Sequence, residues 1–167
     1  MKKTLFALVA IISLSFLSFN ETPTNALPNV QLKDINGKTV ETGKLSNDGK
    51  PILICFWATW CAPCKKELNT YSDLYEKWAE ETGVKIYAVS IDDQRTSTSV
   101  KPYINSVGWE YEILLDVNKS FFQAMGGNTP PHTFLLNGKG EIIWQHVGYT
   151  AGDEAEVYEQ LLKAVAK

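Results

Sequence analysis

The sequence predicts an α/β sandwich whose sheet has parallel strand pairs at its centre and an antiparallel edge. Three observations carry that prediction. The runs "PILICFWA" (51–58) and "VKIYAVSI" (84–91) are almost wholly apolar and rich in β-branched and aromatic residues, the pattern of strands buried on both faces. Between them, Leu68, Tyr71, Tyr75 and Trp78 recur at helical spacing, and a helix joining two buried strands is the unit that makes them parallel. Nearer the end, "HTFLLNGKGEIIWQHV" (132–147) reads as two strands around a tight turn.

Each element has its own local signal. In "VQLKDINGKTVET" (30–42), Asn36-Gly37 between alternating runs predicts a hairpin with both turn positions at positive φ. The helix after the first buried strand is read over 65–82, with Gly83 as its C-terminal stop. Ser99 is the candidate cap of a short helix carrying Val100, Tyr103 and Val107, and Pro102 is tolerated because it falls in the first turn. "YEILLD" (111–116) is strand-like, and "VNKSFFQAMGG" (117–127) is a short helix ending at paired glycines. Asp153 with Glu156 resembles a capping box, opening a helix with Ala155, Tyr158, Leu161, Leu162 and Val165 on one face.

The chain has 167 residues, 44% of them apolar, which suits one globular domain. A net charge of −3 gives no basic footprint for nucleic acid. Lys2 and Lys3 precede the uncharged run "LFALVAIISLSFLSF" (5–19), too short against the roughly 20 residues of a membrane-spanning helix. Residues 1–26 are therefore read as an export signal cleaved after Ala26, with retention of 5–19 as a membrane anchor as the alternative. Residues 27–167 form the domain, with an expected location in the periplasm or elsewhere outside the cytoplasm. Residues 1–26 carry Lys2, Lys3 and Glu21, a net +1, so cleavage leaves −4.

Exported proteins can hold disulfides, but three cysteines make a poor framework. In "FWATWCAPCKKE" (56–67), Cys61 and Cys64 sit where a buried strand turns into a helix, the end at which open α/β sheets place their sites. Residues three apart on a first helical turn bring their Cα atoms to about 5–6 Å, within disulfide range. The helix N-terminus favours a thiolate on Cys61, the expected nucleophile, and leaves Cys64 as the resolving thiol. Pro63 lacks an N–H at little cost in a first turn and stiffens the loop. A haem anchor needs His at position 65, which is Lys. Zinc needs four ligands, and only Cys55, His132 and His146 remain. A purely structural disulfide closing so short a loop gains little. A redox dithiol is the reading that survives.

This stretch on this pattern of elements resembles the thioredoxin superfamily, in particular its exported TlpA/ResA-like thiol–disulfide oxidoreductases. The resemblance covers roughly residues 28–167, including the N-terminal hairpin, the helix and strand inserted over 97–116, and "PPHTFLLNGKGEI". It implies a thioredoxin fold, a central mixed sheet flanked by helices, and three further site residues. Pro131 matches the cis-proline that faces the active-site sulfurs. Pro130 before it offers an extended client its carbonyl but no N–H. Glu67 matches a functional glutamate, expected to exchange a proton with Cys64 and to need a raised pKa. Cys55 stands where thioredoxins carry a buried Asp, and a buried thiol cannot replace that relay. Trp60, Ala62 and Pro63, with Pro130, are the expected client-binding residues. Trp57, His132 and His146 are read as packing or solvated residues, although His132 adjoins Pro131.

The function expected is reduction of protein disulfides through Cys61/Cys64, with no cofactor beyond that redox-active disulfide. Protein thiols and disulfides are the clients, the haem-binding cysteines of apocytochrome c among them by resemblance. A membrane-embedded electron donor is implied, since no nicotinamide or flavin motif is present, and a monomer is expected. Thiol oxidase or disulfide isomerase on the same fold is the alternative, and a non-catalytic binding module is a further one. The Pro-x-x-x-Thr-x-x-Cys pattern of peroxiredoxins is absent, because those positions before Cys61 hold Ile54 and Ala58.

Overall fold

A computed structural model describes residues 26–166, so the proposed signal or anchor lies outside the described residues, apart from Ala26. The elements are β1 (Gln31–Asp34), β2 (Thr39–Glu41), β3 (Ile52–Trp57), α1 (Ala62–Thr82), β4 (Lys85–Ser90), α2 (Val100–Val107), β5 (Glu112–Leu115), α3 (Ser120–Ala124), β6 (His132–Leu136), β7 (Ile142–Val147) and α4 (Asp153–Val165). One seven-stranded mixed sheet runs β2-β1-β5-β4-β3-β6-β7. β3 and β4 pair in parallel, as do β4 and β5, while β6 lies antiparallel to β3 and β7 antiparallel to β6. This is the thioredoxin fold that the sequence resemblance implies, with the inserted α2–β5 unit bridging β4 to the N-terminal hairpin. Among the described residues no helix is long and apolar enough to cross a membrane.

β3 is buried along its whole length, and successive side chains face opposite layers. Phe56 meets Phe121 and Phe122 of α3 and Phe134 of β6, at ring separations of 5.4, 4.9 and 5.9 Å. Trp57, on the other face, meets Tyr103 of α2 and Trp109. The short α3 is held down by buried Asp116, which accepts the Phe122 N–H at 2.8 Å and the Ser120 hydroxyl at 3.2 Å. On the Trp57 side α1 packs against the sheet and α4, and Trp78 stacks on Tyr158.

Five local expectations are corrected. In the first hairpin Gly37 alone is left-handed (φ 84°), because Asp34 organises the turn by accepting the N–H groups of Asn36 and Lys38. Helix α1 begins at Ala62 rather than Lys65, since the Cys-x-x-Cys stretch is itself its first turn. Ser99 makes no capping bond, because a 3-10 turn over Ser97–Ser99 leads directly into α2. Asp153 is not the cap of α4: Gly152 holds that position at φ 110°, and the Asp153 carboxylate turns back to the Thr150 N–H. The buried stripe of α4 is Val157 and Leu161, leaving Leu162 and Val165 exposed.

The aromatic cluster yields a stability prediction. Phe56→Ala should lower the unfolding free energy by about 3–5 kcal/mol, read from the urea midpoint. Ile143→Ala, on the exposed face of the edge strand β7, should stay within about 0.5 kcal/mol of wild type.

Candidate active site

At the carboxyl end of β3 the chain turns once and enters α1 with Cys61 as N-cap. Cys61 and Cys64 are joined by a disulfide, their Cα atoms 5.4 Å apart. The Cys64 N–H points at the Cys61 sulfur, 3.3 Å away, so one of the free donors of the helix start is already directed at the sulfur that would carry charge. Cys61 keeps 5% of its surface and Cys64 none. Trp60 is 54% exposed, and Ala62 and Pro63 are exposed as well, so these residues form an open rim around a recessed sulfur.

Pro131 is preceded by a cis peptide bond and is buried at the start of β6, and half-buried Pro130 adjoins it. The Pro131 carbonyl already accepts the Gly148 N–H at 2.8 Å. His132 does not join the dithiol. It shares the face of Phe56, stacks on Phe134 and meets Gln145 Oε1 through Nε2 at 3.1 Å. Burial holds its imidazole below the ordinary range. His146 packs at the surface: its Nε2 lies 3.4 Å from Asp153 and its ring stacks on Trp144.

Glu67, one turn beyond Cys64, is 1% exposed. Its Oε1 accepts the hydroxyls of Tyr71 and Thr133, both at 3.0 Å, while the buried Oε2 has no partner. Burial pushes the carboxyl up to about 7, and the two hydroxyl bonds restrain that rise. Burial drives the Tyr71 phenol upward too, keeping it a donor. Cys55 is fully buried and free, its thiol raised well above the ordinary range by burial and then by Glu67.

Thr133 and Tyr71 are the neighbours that sequence reasoning missed. The helical spacing marks Tyr71 only as part of the repeating face of α1, although four positions from Glu67 is hydrogen-bonding distance on a helix. Strand alternation could have found Thr133: it pairs with Cys55 in the β3–β6 register and faces α1, whereas His132, one residue earlier, faces away. Among the described residues no group of three or more His, Cys, Asp or Glu is placed to hold a metal ion.

A thioredoxin fold with a Cys-x-x-Cys pair at the mouth of β3 defines a class, that of the thiol–disulfide oxidoreductases. Residues 23–145 match the AhpC/TSA family, and the chain belongs to it. The thiol-disulfide oxidoreductase ResA of Bacillus subtilis (strain 168) is 32% identical over 136 residues, 81% of this chain and 73% of that protein. ResA of Bacillus anthracis is also 32% identical, over 78% of this chain and 73% of its own length. An uncharacterized thioredoxin-like protein from Porphyromonas gingivalis superposes with a TM-score of 0.76 at 47% identity, over 84% of this chain and 92% of that one. StoA from Bacillus subtilis does so with a TM-score of 0.63 at 26% identity, over 81% and 98%.

The buried glutamate makes stability depend on pH. Between pH 4.5 and about 7 the unfolded chain ionises Glu67 while the native protein holds it neutral. Wild type therefore loses stability as pH rises through that window, and its full stability lies below it. Glu67→Gln lacks this dependence. The unfolding free energy of the variant minus that of wild type should rise by roughly 3 kcal/mol across the window, measured by urea titration of the oxidised proteins. Thr133→Val removes a bond that favours the carboxylate, so carbon NMR should find Glu67 titrating above its wild-type position.

Proposed function

We propose that the protein is an exported reductase of protein disulfides, with Cys61 as nucleophile, Cys64 as resolving thiol and Glu67 as proton carrier. The observation that carries this reading is the asymmetry of the pair. Cys61 sits at the helix start with a backbone donor on its sulfur, and Cys64 is sealed one turn inside.

In the reduced enzyme the Cys61 thiolate attacks one sulfur of a client disulfide, and the other client sulfur leaves as a thiolate that takes up a proton. The Cys64 thiol gives its proton to the Glu67 carboxylate and attacks the Cys61 sulfur. The Cys61–client bond breaks, the second client sulfur leaves as a thiolate that takes up a proton from water, and two electrons have passed from the dithiol to the client. A carboxyl near neutrality with one unpartnered oxygen suits that exchange. The client strand docks across Trp60, Ala62 and Pro63 and takes a hydrogen bond from its own N–H to the Pro130 carbonyl. A membrane-embedded dithiol donor restores the reduced state, and the paired haem-binding cysteines of apocytochrome c are a fitting client. Residues 1–26 deliver the domain outside the cytoplasm.

Trapping tests the division of labour. Cys64→Ser should accumulate a mixed disulfide through Cys61, and Cys61→Ser should accumulate none; equal trapping by both would refute the assignment. A reduction potential of about −250 mV or lower supports a reductase, whereas one near −120 mV would make the protein an oxidase.

A further inference from the structure

The turn that delivers Cys61 is itself held from outside. The Cys61 N–H donates to the Ala58 carbonyl at 3.0 Å, with Thr59 and Trp60 at the corner between them. Thr59 is gripped at two points by Asp92, the second residue beyond β4. Its N–H donates to Oδ2 at 2.9 Å and its hydroxyl to Oδ1 at 2.6 Å. Asp92 is 1% exposed, and equally buried Ser90 donates its hydroxyl to Oδ2 at 2.8 Å while accepting the Asp92 N–H at 3.1 Å. None of the ion pairs among the described residues includes Asp92. Neutral donors alone satisfy this carboxylate, and two of the three come from one corner residue.

A carboxylate buried without a cation is a costly way to fill a corner, and an apolar residue would close a purely structural one better. What the carboxylate adds is direction. Two bonds to consecutive donors of one residue fix both the position and the rotation of that residue, which packing alone does not. We propose that Asp92 is a positioning residue for the thiol chemistry, its two-point clamp on Thr59 fixing the turn that sets Cys61 at the start of α1. The inference rests on the reading of Cys61 as nucleophile.

The clamp also joins two walls of a pocket of about 320 Å³ that Trp60 lines. Trp60 comes from the gripped turn, and Ile91, Asp93, Arg95 and Thr96 come from the loop that carries Asp92. A turn free to rotate would therefore lose both the alignment of Cys61 with the Cys64 N–H and the seating of Trp60.

Fully reduced protein is alkylated with iodoacetamide from about pH 4 to about pH 10, and modification of the Cys61 peptide is followed by mass spectrometry. Thr59→Val keeps the shape of the side chain and removes one arm of the clamp. It leaves in place the charged and titratable groups around the turn: Asp92, Asp93 and Arg95 after β4, Lys65 and Glu67 on α1, Lys119 before α3, and His132 on β6. The Cys61 midpoint should rise by about half a pH unit in Thr59→Val and return to the wild-type value in Thr59→Ser. Asp92→Asn can still accept from the Thr59 N–H and donate to its hydroxyl, so it should not raise the midpoint. A Thr59→Val profile superimposable on wild type, whatever the change in melting temperature, would overturn the proposal. So would a shift confined to Asp92→Asn, which would trace the effect to charge. Alkylation needs no client, so wild-type protein inactive on insulin disulfides would refute the reductase reading and leave this result standing.

Discussion

The molecule is organised around the burial of β3 on both faces and both edges. Its backbone is paired with β4 on one side and β6 on the other, and its side chains fill both layers of the core. Only its carboxyl end opens toward solvent, and there the chain must reverse into α1. Backbone polar groups in that reversal cannot be left unpaired at the edge of a core. The Ile91 N–H satisfies the Trp57 carbonyl at 2.8 Å, the Cys61 N–H satisfies Ala58, and the Cys64 N–H is spent on sulfur. The dithiol thus lies at the one place where a rigid core and a free helix end meet. Rigidity aligns the two sulfurs, and the free end supplies the donor that a thiolate needs.

A second constraint acts across the layers. Glu67 enters the interior from α1, and the groups meeting it there are hydroxyls from its own helix and from the strand that begins after Pro131. Helix and strand are joined through a single carboxyl oxygen, and among the described residues no ion pair includes Glu67. Tyr71 and Cys55 share the same space, and burial drives both far from neutrality. Of the titratable groups packed together at this point, the glutamate is the one poised near pH 7.

The parallel centre, the antiparallel edge and the position of the cysteines were legible in the sequence because they depend on hydrophobic pattern. Runs such as 51–58 and 84–91 leave little choice. The expected nucleophile could be named because a helix N-terminus is a local property, and the structure places Cys61 at that N-cap. What stayed hidden depends on contacts between distant segments. Glu67 meets Thr133 across 66 positions, and Asp92 grips Thr59 across 33. The cap of α4 was misplaced, and Ser99, which does stand at the N-cap of α2, makes no capping bond: a left-handed Gly152 and a preceding 3-10 turn set the backbone first. His132 drew attention through its adjacency to Pro131, yet strand alternation turns it to the far face and brings Thr133 in its place.

The free thiol at position 55 bears on how the protein acquires its structure. An unfolded chain with three cysteines can close three different disulfides, and two of them would use Cys55. In the folded protein that thiol is wholly enclosed between Ala88 and Thr133 in the middle of the sheet, where a partner sulfur cannot reach it. A bridge to Cys55 would hold β3 out of the sheet, so the assembled sheet leaves Cys61 and Cys64 as the pair within reach. Burial of Cys55 in the assembled core is what restricts the disulfide to Cys61 and Cys64.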